Sequence, residues 1–109
     1  MSGSAEEIDF VVDVSSFTKE GFIGTSSFGG KSVDIDFDDG NQGVFLNHEM
    51  AMKLGVKKGS RLSALVEAEK TQAVELIVAT VGKTVRVSDP KVYHAVGSEG
   101  GAVIRIRKS

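Results

Sequence analysis

Apolar and polar positions alternate along most of this chain. Ile8-Asp9-Phe10 opens a period-2 pattern that continues to Val14, and Val33-Asp34-Ile35-Asp36-Phe37 is a clean apolar/acidic alternation. A period of two sends successive side chains to opposite faces, so these segments read as strands with one buried face and aspartates outward. Leu62-Ser63-Ala64-Leu65-Val66 and Val74-Glu75-Leu76-Ile77-Val78 follow, then Val85-Arg86-Val87 and Ala102-Val103-Ile104-Arg105-Ile106. The pattern predicts a mainly β protein. Thirteen glycines and a single proline suit many strands with tight connections.

Two short helices interrupt the alternation. Asn47 is a helix-capping residue ahead of Met50 and Leu54, which share one face at i, i+4, and Gly55 ends the segment. Asp89, Pro90, Val92, Val96 and Gly97 repeat the plan: capping aspartate, proline at the first helical position, an i, i+4 apolar pair and a glycine stop. The two segments are related by a constant offset of 42 residues, which also matches Gly59 with Gly101, Leu62 with Ile104 and Ala64 with Ile106. Upstream the offset is 41, so Val33, Ile35 and Phe37 answer Val74, Leu76 and Val78 as core positions. Matching caps and matching apolar positions read as an internal ββαβ repeat.

One ββαβ unit cannot cover its own apolar face, whereas two can close a barrel and remove its strand edges. The expected architecture is a small closed barrel of six to eight strands with two short helices. Residues 1–7 read as a disordered tail, 8–31 as an N-terminal strand or hairpin extension, and 32–109 as the duplicated barrel, all within one domain. Residues 8–14, as an exposed strand, are also a place where another copy would pair. The run Leu54-Gly55-Val56-Lys57-Lys58-Gly59-Ser60-Arg61-Leu62 resembles the helix-end signature of the cradle-loop barrels. There a leucine, a glycine, an aliphatic residue, two variable residues, a glycine and an aspartate lead into the next strand. That superfamily holds the double-psi β-barrels and, more distantly, the AbrB-like transcription factors. The resemblance covers about residues 32–107 and departs where Ser60 and Ala102 stand in place of the usual aspartate. It implies a double-psi-like barrel, and either of two roles: adaptor binding, as in the N-terminal domains of AAA ATPases, or DNA binding.

Charge sharpens the picture. Residues 1–50 hold ten acids and two bases, while residues 51–109 hold five acids and eleven bases. This asymmetry fits halves of one barrel that attract each other, an anion-binding basic half, or a polar molecule that associates head to tail. Lys53, Lys57, Lys58 and Arg61 near the first helix end, with Arg105 and Arg107 at the C-terminus, form the candidate partner or anion surface; Asp34 and Asp36 form the acidic one. Tyr93 is the sole tyrosine and tryptophan is absent, so stacking platforms for single-stranded nucleic acid are lacking. The chain has no cysteine, which removes disulfides and thiolate metal sites and fits a reducing, cytoplasmic setting. No run of 18 apolar residues occurs, so no membrane-spanning helix is expected.

Several stretches imitate known chemistry and fail on inspection. Gly24-Thr-Ser-Ser-Phe-Gly-Gly-Lys-Ser32 misses the phosphate-loop spacing by one residue and runs into a strand pattern, where the motif requires a helix N-terminus. It reads as a flexible connection. Asp34-Ile-Asp-Phe-Asp-Asp-Gly40 lacks the glycine and final carboxylate of a calcium loop, which leaves Asp36, Asp38 and Asp39 as weak metal candidates. His48-Glu49 is followed by Met52 where a zinc-protease helix needs its second histidine, and His48 and His94 are not equivalent in the two repeats. The expectation is therefore a non-catalytic protein-interaction or adaptor module, accessory to a larger assembly, with no cofactor. The runner-up is an AbrB-like DNA-binding regulator, and the third reading is a small-ligand or divalent-metal barrel using the groove between residues 38–43 and 79–84. Partners follow accordingly: a protein first, a second copy of the chain next, nucleic acid less favoured.

Overall fold

A computed structural model describes residues 10–17, 21–27, 29–37, 40, 42–96 and 101–109. The elements in order are β1 (Phe10–Phe17), β2 (Phe22–Ser26), β3 (Ser32–Asp36), β4 (Gly43–Asn47), α1 (His48–Leu54), β5 (Arg61–Glu67), β6 (Thr71–Gly82), β7 (Arg86–Ser88), α2 (Pro90–Val96) and β8 (Val103–Lys108). The eight strands close into a barrel in the order β1-β2-β3-β7-β4-β6-β5-β8. The mainly β closed barrel with two short helices is the architecture that the alternation predicts.

The two helix-bearing segments occupy corresponding places. The first strand of each lies parallel to the second strand of the other, as β3 on β7 and β6 on β4, and the two second strands, β4 and β7, pair antiparallel. The last strands, β5 and β8, also pair antiparallel. Only one seam breaks the exchange. β5 pairs directly with β6, but β8 reaches β3 only through the hairpin β1–β2. The turns before the last strands show the same substitution. Gly59 N–H donates to Val78 O and Val78 N–H to Ser60 O, at 2.8 and 2.9 Å. Forty-two residues on, Gly101 N–H donates to Val14 O and Val14 N–H to Ala102 O, at 3.1 and 2.9 Å. β1 thus takes the place beside β8 that β6 holds beside β5.

Burial follows the period of two. Val33 and Ile35 on β3, Leu62, Ala64 and Val66 on β5, Val74, Leu76 and Val78 on β6, and Ile104 and Ile106 on β8 all point into one core. Met50, Ala51 and Leu54 of α1 and Val92 and Val96 of α2 join it, so each helix lays its apolar face on the barrel. Both N-caps and the Gly55 stop are the ones expected, while Gly97, the stop expected for α2, lies outside the described residues. Asn47 Oδ1 accepts from Met50 N–H at 2.8 Å, and Asp89 Oδ1 accepts from Lys91 and Val92 N–H at 2.7 and 3.4 Å. Gly55 turns left-handed at φ 71, and Val56 N–H closes back on Ala51 O at 3.0 Å.

Four expectations need correction. Phe37 is not a core counterpart of Val78: it leaves β3 past Asp36 and stands 46% exposed. The stretch from Gly24 to Ser32 is the end of β2, a turn and the start of β3, closed by Ser26 N–H to Lys31 O at 2.8 Å and Gly30 N–H to Ser26 O at 3.1 Å. Residues 79–82 belong to β6, whose twelve residues reach past β5 to run parallel to β4. β1 offers no open edge along residues 12–13, because β2 and β8 flank it there. Residues 1–9, including the tail expected at 1–7, lie outside the described residues.

Candidate functional site

A row of polar side chains on β3 and β7 and an aromatic group reaching α2 form the candidate site. Cross-strand register sets its first row: Ile23 of β2 faces Asp34 of β3, Asp34 faces Arg86 of β7, and Arg86 faces Phe45 of β4. Arg86 reaches diagonally to Asp36, with Nε at 2.9 Å from Oδ2 and Nη2 at 3.1 Å from Oδ1. The fork geometry of guanidinium on carboxylate makes this the strong form of ion pair. The two side chains are only 23% and 21% exposed, and the guanidinium also lies 5.2 Å from the centre of the Phe45 ring.

Beside this pair opens a cleft of about 430 Å³ lined by Gly21, Phe22, Asp34, Ile35, Asp36, Thr84 and Arg86. Of these residues Asp34 and Thr84 are exposed, whereas Phe22 and Ile35 belong to the core. Gly21 is required where it stands. A Cβ there would collide with the Ile35 carbonyl oxygen, so the chain entering β2 presses directly onto β3.

From the cleft an aromatic stack climbs to the surface. Buried Phe22 lies 5.1 Å from Tyr93, and Tyr93 lies 4.6 Å from Phe37 in an edge-to-face arrangement at 61°. His94 closes the group, 5.7 Å from Tyr93 and 6.2 Å from Phe37. Such ring pairs add about 0.5–1.5 kcal/mol each beyond area burial. The stack therefore holds Phe37 in place although nearly half of it faces solvent.

The residues singled out from the sequence are distributed as follows. Asp34 and Asp36 share β3, and the Asp36 carboxylate is occupied by Arg86. Asp38 and Asp39 lie outside the described residues, and among the described residues no three of His, Asp and Glu come together as a metal site. Lys57 and Lys58 sit in the turn after α1, Arg61 opens β5, and Ser109 N–H donates to Arg61 O at 3.1 Å, so the last residues join that rim. Arg107 faces Ser63 across β5, while Arg105 pairs with Glu67 at 3.2 Å and Lys53 with Glu49 at 3.8 Å. The structure therefore gathers Lys57, Lys58, Arg61 and Arg107 toward one end and commits Lys53 and Arg105 to local pairs. His48 is exposed on the first turn of α1, apart from His94 on α2. The helix that a phosphate loop would need after Lys31 is a strand. No helix among the described residues is long and apolar enough to cross a membrane.

The aromatic stack was not visible in the sequence. Phe22, Phe37 and Tyr93 lie 15 and 56 residues apart, and only the barrel brings them together. Comparison of the chain with protein-family models, curated proteins and solved structures finds no match.

Proposed function

We propose that this protein is a non-catalytic interaction module that docks a protein partner on the face formed by Phe37, Tyr93 and His94 and the adjoining cleft. The observation that carries it is Phe37, 46% exposed yet fixed in a ring stack that reaches the core. Exposed apolar residues scattered singly are ordinary, whereas an ordered aromatic group beside an arginine is the composition of interface centres. A side chain already held in its binding position loses little entropy on association. The exchange of strand pairings between the two helix-bearing segments supports a tandem ββαβ duplication, and with it the cradle-loop, double-psi-like reading of the barrel.

The test is affinity capture from the source cells, with quantitative mass spectrometry, followed by calorimetry on each purified candidate. Phe37→Glu and Tyr93→Ala are expected to lose a partner that wild type holds, while circular dichroism shows both variants folded. A capture profile unchanged by both substitutions would refute the assignment. The basic rim at Lys57, Lys58 and Arg61 supports the DNA-binding alternative. That alternative requires affinity falling steeply between about 50 and about 200 mM salt and lost on Lys57→Glu with Lys58→Glu.

A further inference from the structure

We infer that the first half of β6 is an open strand edge that takes an extended segment of another protein as an added strand. This inference does not rest on the Phe37 face. β6 runs for twelve residues, and its two neighbours share it unequally. β5 pairs with Thr71–Ile77 in one unbroken register, whereas β4 pairs only with residues from Val78 to Gly82. On the side away from β5, Thr71–Ile77 therefore meets no strand among the described residues. Backbone parity says which groups this leaves. Val78 N–H donates to Ser60 O and Val78 O accepts from Gly59 N–H, both at the entry to β5. Amide and carbonyl groups alternate sides along a strand, so those of Leu76, Val74 and Gln72 also point to β5. Those of Ile77, Glu75, Ala73 and Thr71 point away. Ile77 O lies against Gly43, where β4 begins. The N–H of Ala73, Glu75 and Ile77 and the C=O of Ala73 and Glu75 receive no partner from a strand, turn or loop among the described residues. α2 touches β6 as well, yet it leaves Ala73, Glu75 and Ile77 exposed. Edges are usually blunted by proline, lysine or a bulge. Thr71–Ile77 contains neither residue, and its register with β5 does not shift.

Side chains on the solvent face of this edge state what the added strand carries. Ala73, Glu75 and Ile77 follow one another there, and an added strand lays one side chain beside each. Ala73 leaves room for a large aliphatic residue, and Ile77, 55% exposed, offers apolar surface to another. Glu75 forms no ion pair among the described residues and faces Ser63 across β5. The neighbouring cations, Arg61 with Lys57 and Lys58 of the turn before it, lie on the β5 side of β6. On the open side Glu75 is the only charge of the stretch. The segment that fits has lysine or arginine beside Glu75 and an aliphatic residue two positions away on either side. A second copy of β6 is the poorer occupant, since its own Thr71–Ile77 holds no cation to meet Glu75.

The test is an NMR titration of the labelled full chain with the acetylated, amidated peptide Thr-Val-Thr-Lys-Thr-Val-Thr. Shifts and slowed exchange are expected at the amides of Ala73, Glu75 and Ile77. The amides of Val74 and Leu76, which already face β5, should change little. Of two peptides methylated on alternate sets of amide nitrogens, one is expected to bind and the other not, because only one set faces β6. Ala73→Pro removes an outward N–H and no bond to β5, so this variant should fold and lose the peptide. Replacing the peptide's lysine with glutamate should weaken binding about tenfold, and Glu75→Lys should reverse that preference. Amides of Ala73, Glu75 and Ile77 protected before any peptide is added would overturn the inference, as would a titration that leaves them unshifted. Equal binding of both methylated peptides, or of the lysine and glutamate peptides, would do the same. Self-association of wild type that Ala73→Pro abolishes would give the edge to a second copy and overturn the assigned occupant.

Discussion

Arg86 and Asp36 show how much one residue pair contributes to this surface. Both are more than three-quarters removed from solvent, so the pair is not an exposed bridge that salt and side-chain entropy cancel. Arg86→Ala leaves a part-buried carboxylate without its fork and Phe45 without its cation, and is expected to cost about 1–3 kcal/mol. Arg86→Lys keeps the charge but not the two parallel hydrogen bonds, and should fall between alanine and wild type in urea unfolding. Equal midpoints for the alanine variant and wild type would show that the pair contributes nothing net. Glycines make a second contrast. A Cβ at Gly21 collides with the Ile35 carbonyl, and backbone cannot move aside as a flexible side chain does. Gly21→Ala is expected to lose more than about 2 kcal/mol or to fail to fold, in the range of overpacked cores. Gly29→Ala, at φ 75 with nothing within 4 Å, meets only backbone strain of about 1–2 kcal/mol. Thermal melts of the two variants, compared side by side, check the ordering.

At the level of elements, the helices were legible because their boundaries depend on neighbours in sequence. Asn47, Gly55, Asp89 and Pro90 act on backbone groups within a few residues, and the structure places α1 between Asn47 and Gly55 and starts α2 at Pro90, directly after Asp89. Asn47→Ala is expected to destabilise by about 1 kcal/mol through the lost bond to Met50 N–H, and Asp89→Ala by a similar amount. The measurement is the guanidinium midpoint of each variant. An Asn47→Asp variant should retain wild-type stability, which separates loss of the cap from a general effect of substitution. The strands were legible where alternation is clean, as in β3 and β5. Phe37 was misplaced because a period of two cannot report where a strand stops, and the strand stops one residue before it. Residues 8–31 were expected to add a strand or a hairpin, but the bounds of β2 were not legible: Gly24, Thr25 and Ser26 carry no apolar alternation, and β2 is held by its pairing with β1 and β3. The candidate site was least legible of all, since its rings meet only after closure of the barrel.

The whole molecule depends on how the hairpin β1–β2 fills the seam between β8 and β3. Without it the remaining six strands have two options. Either β8 closes directly on β3, or both present unpaired edges. The diameter of a barrel grows with strand number, and the interior here is already filled by side chains drawn from eight strands and two helices. Val12, Val14 and Phe22 are buried parts of that filling, so a six-stranded cylinder would need a narrower core while losing some of its contents. The second option leaves a row of open N–H and C=O groups on β3 and β8, a template for pairing with other chains. A chain beginning at Ser32 is therefore expected to run as dimers or larger species in light scattering, without a sharp unfolding transition. A synthetic peptide of residues 1–31, added in excess, should restore the monomer by supplying both missing strands. Amide exchange then gives the decisive comparison. Protection on β3 and β8 should appear only with the peptide present, and a protected, cooperatively unfolding monomer in its absence would mean that the hairpin decorates a barrel already closed without it.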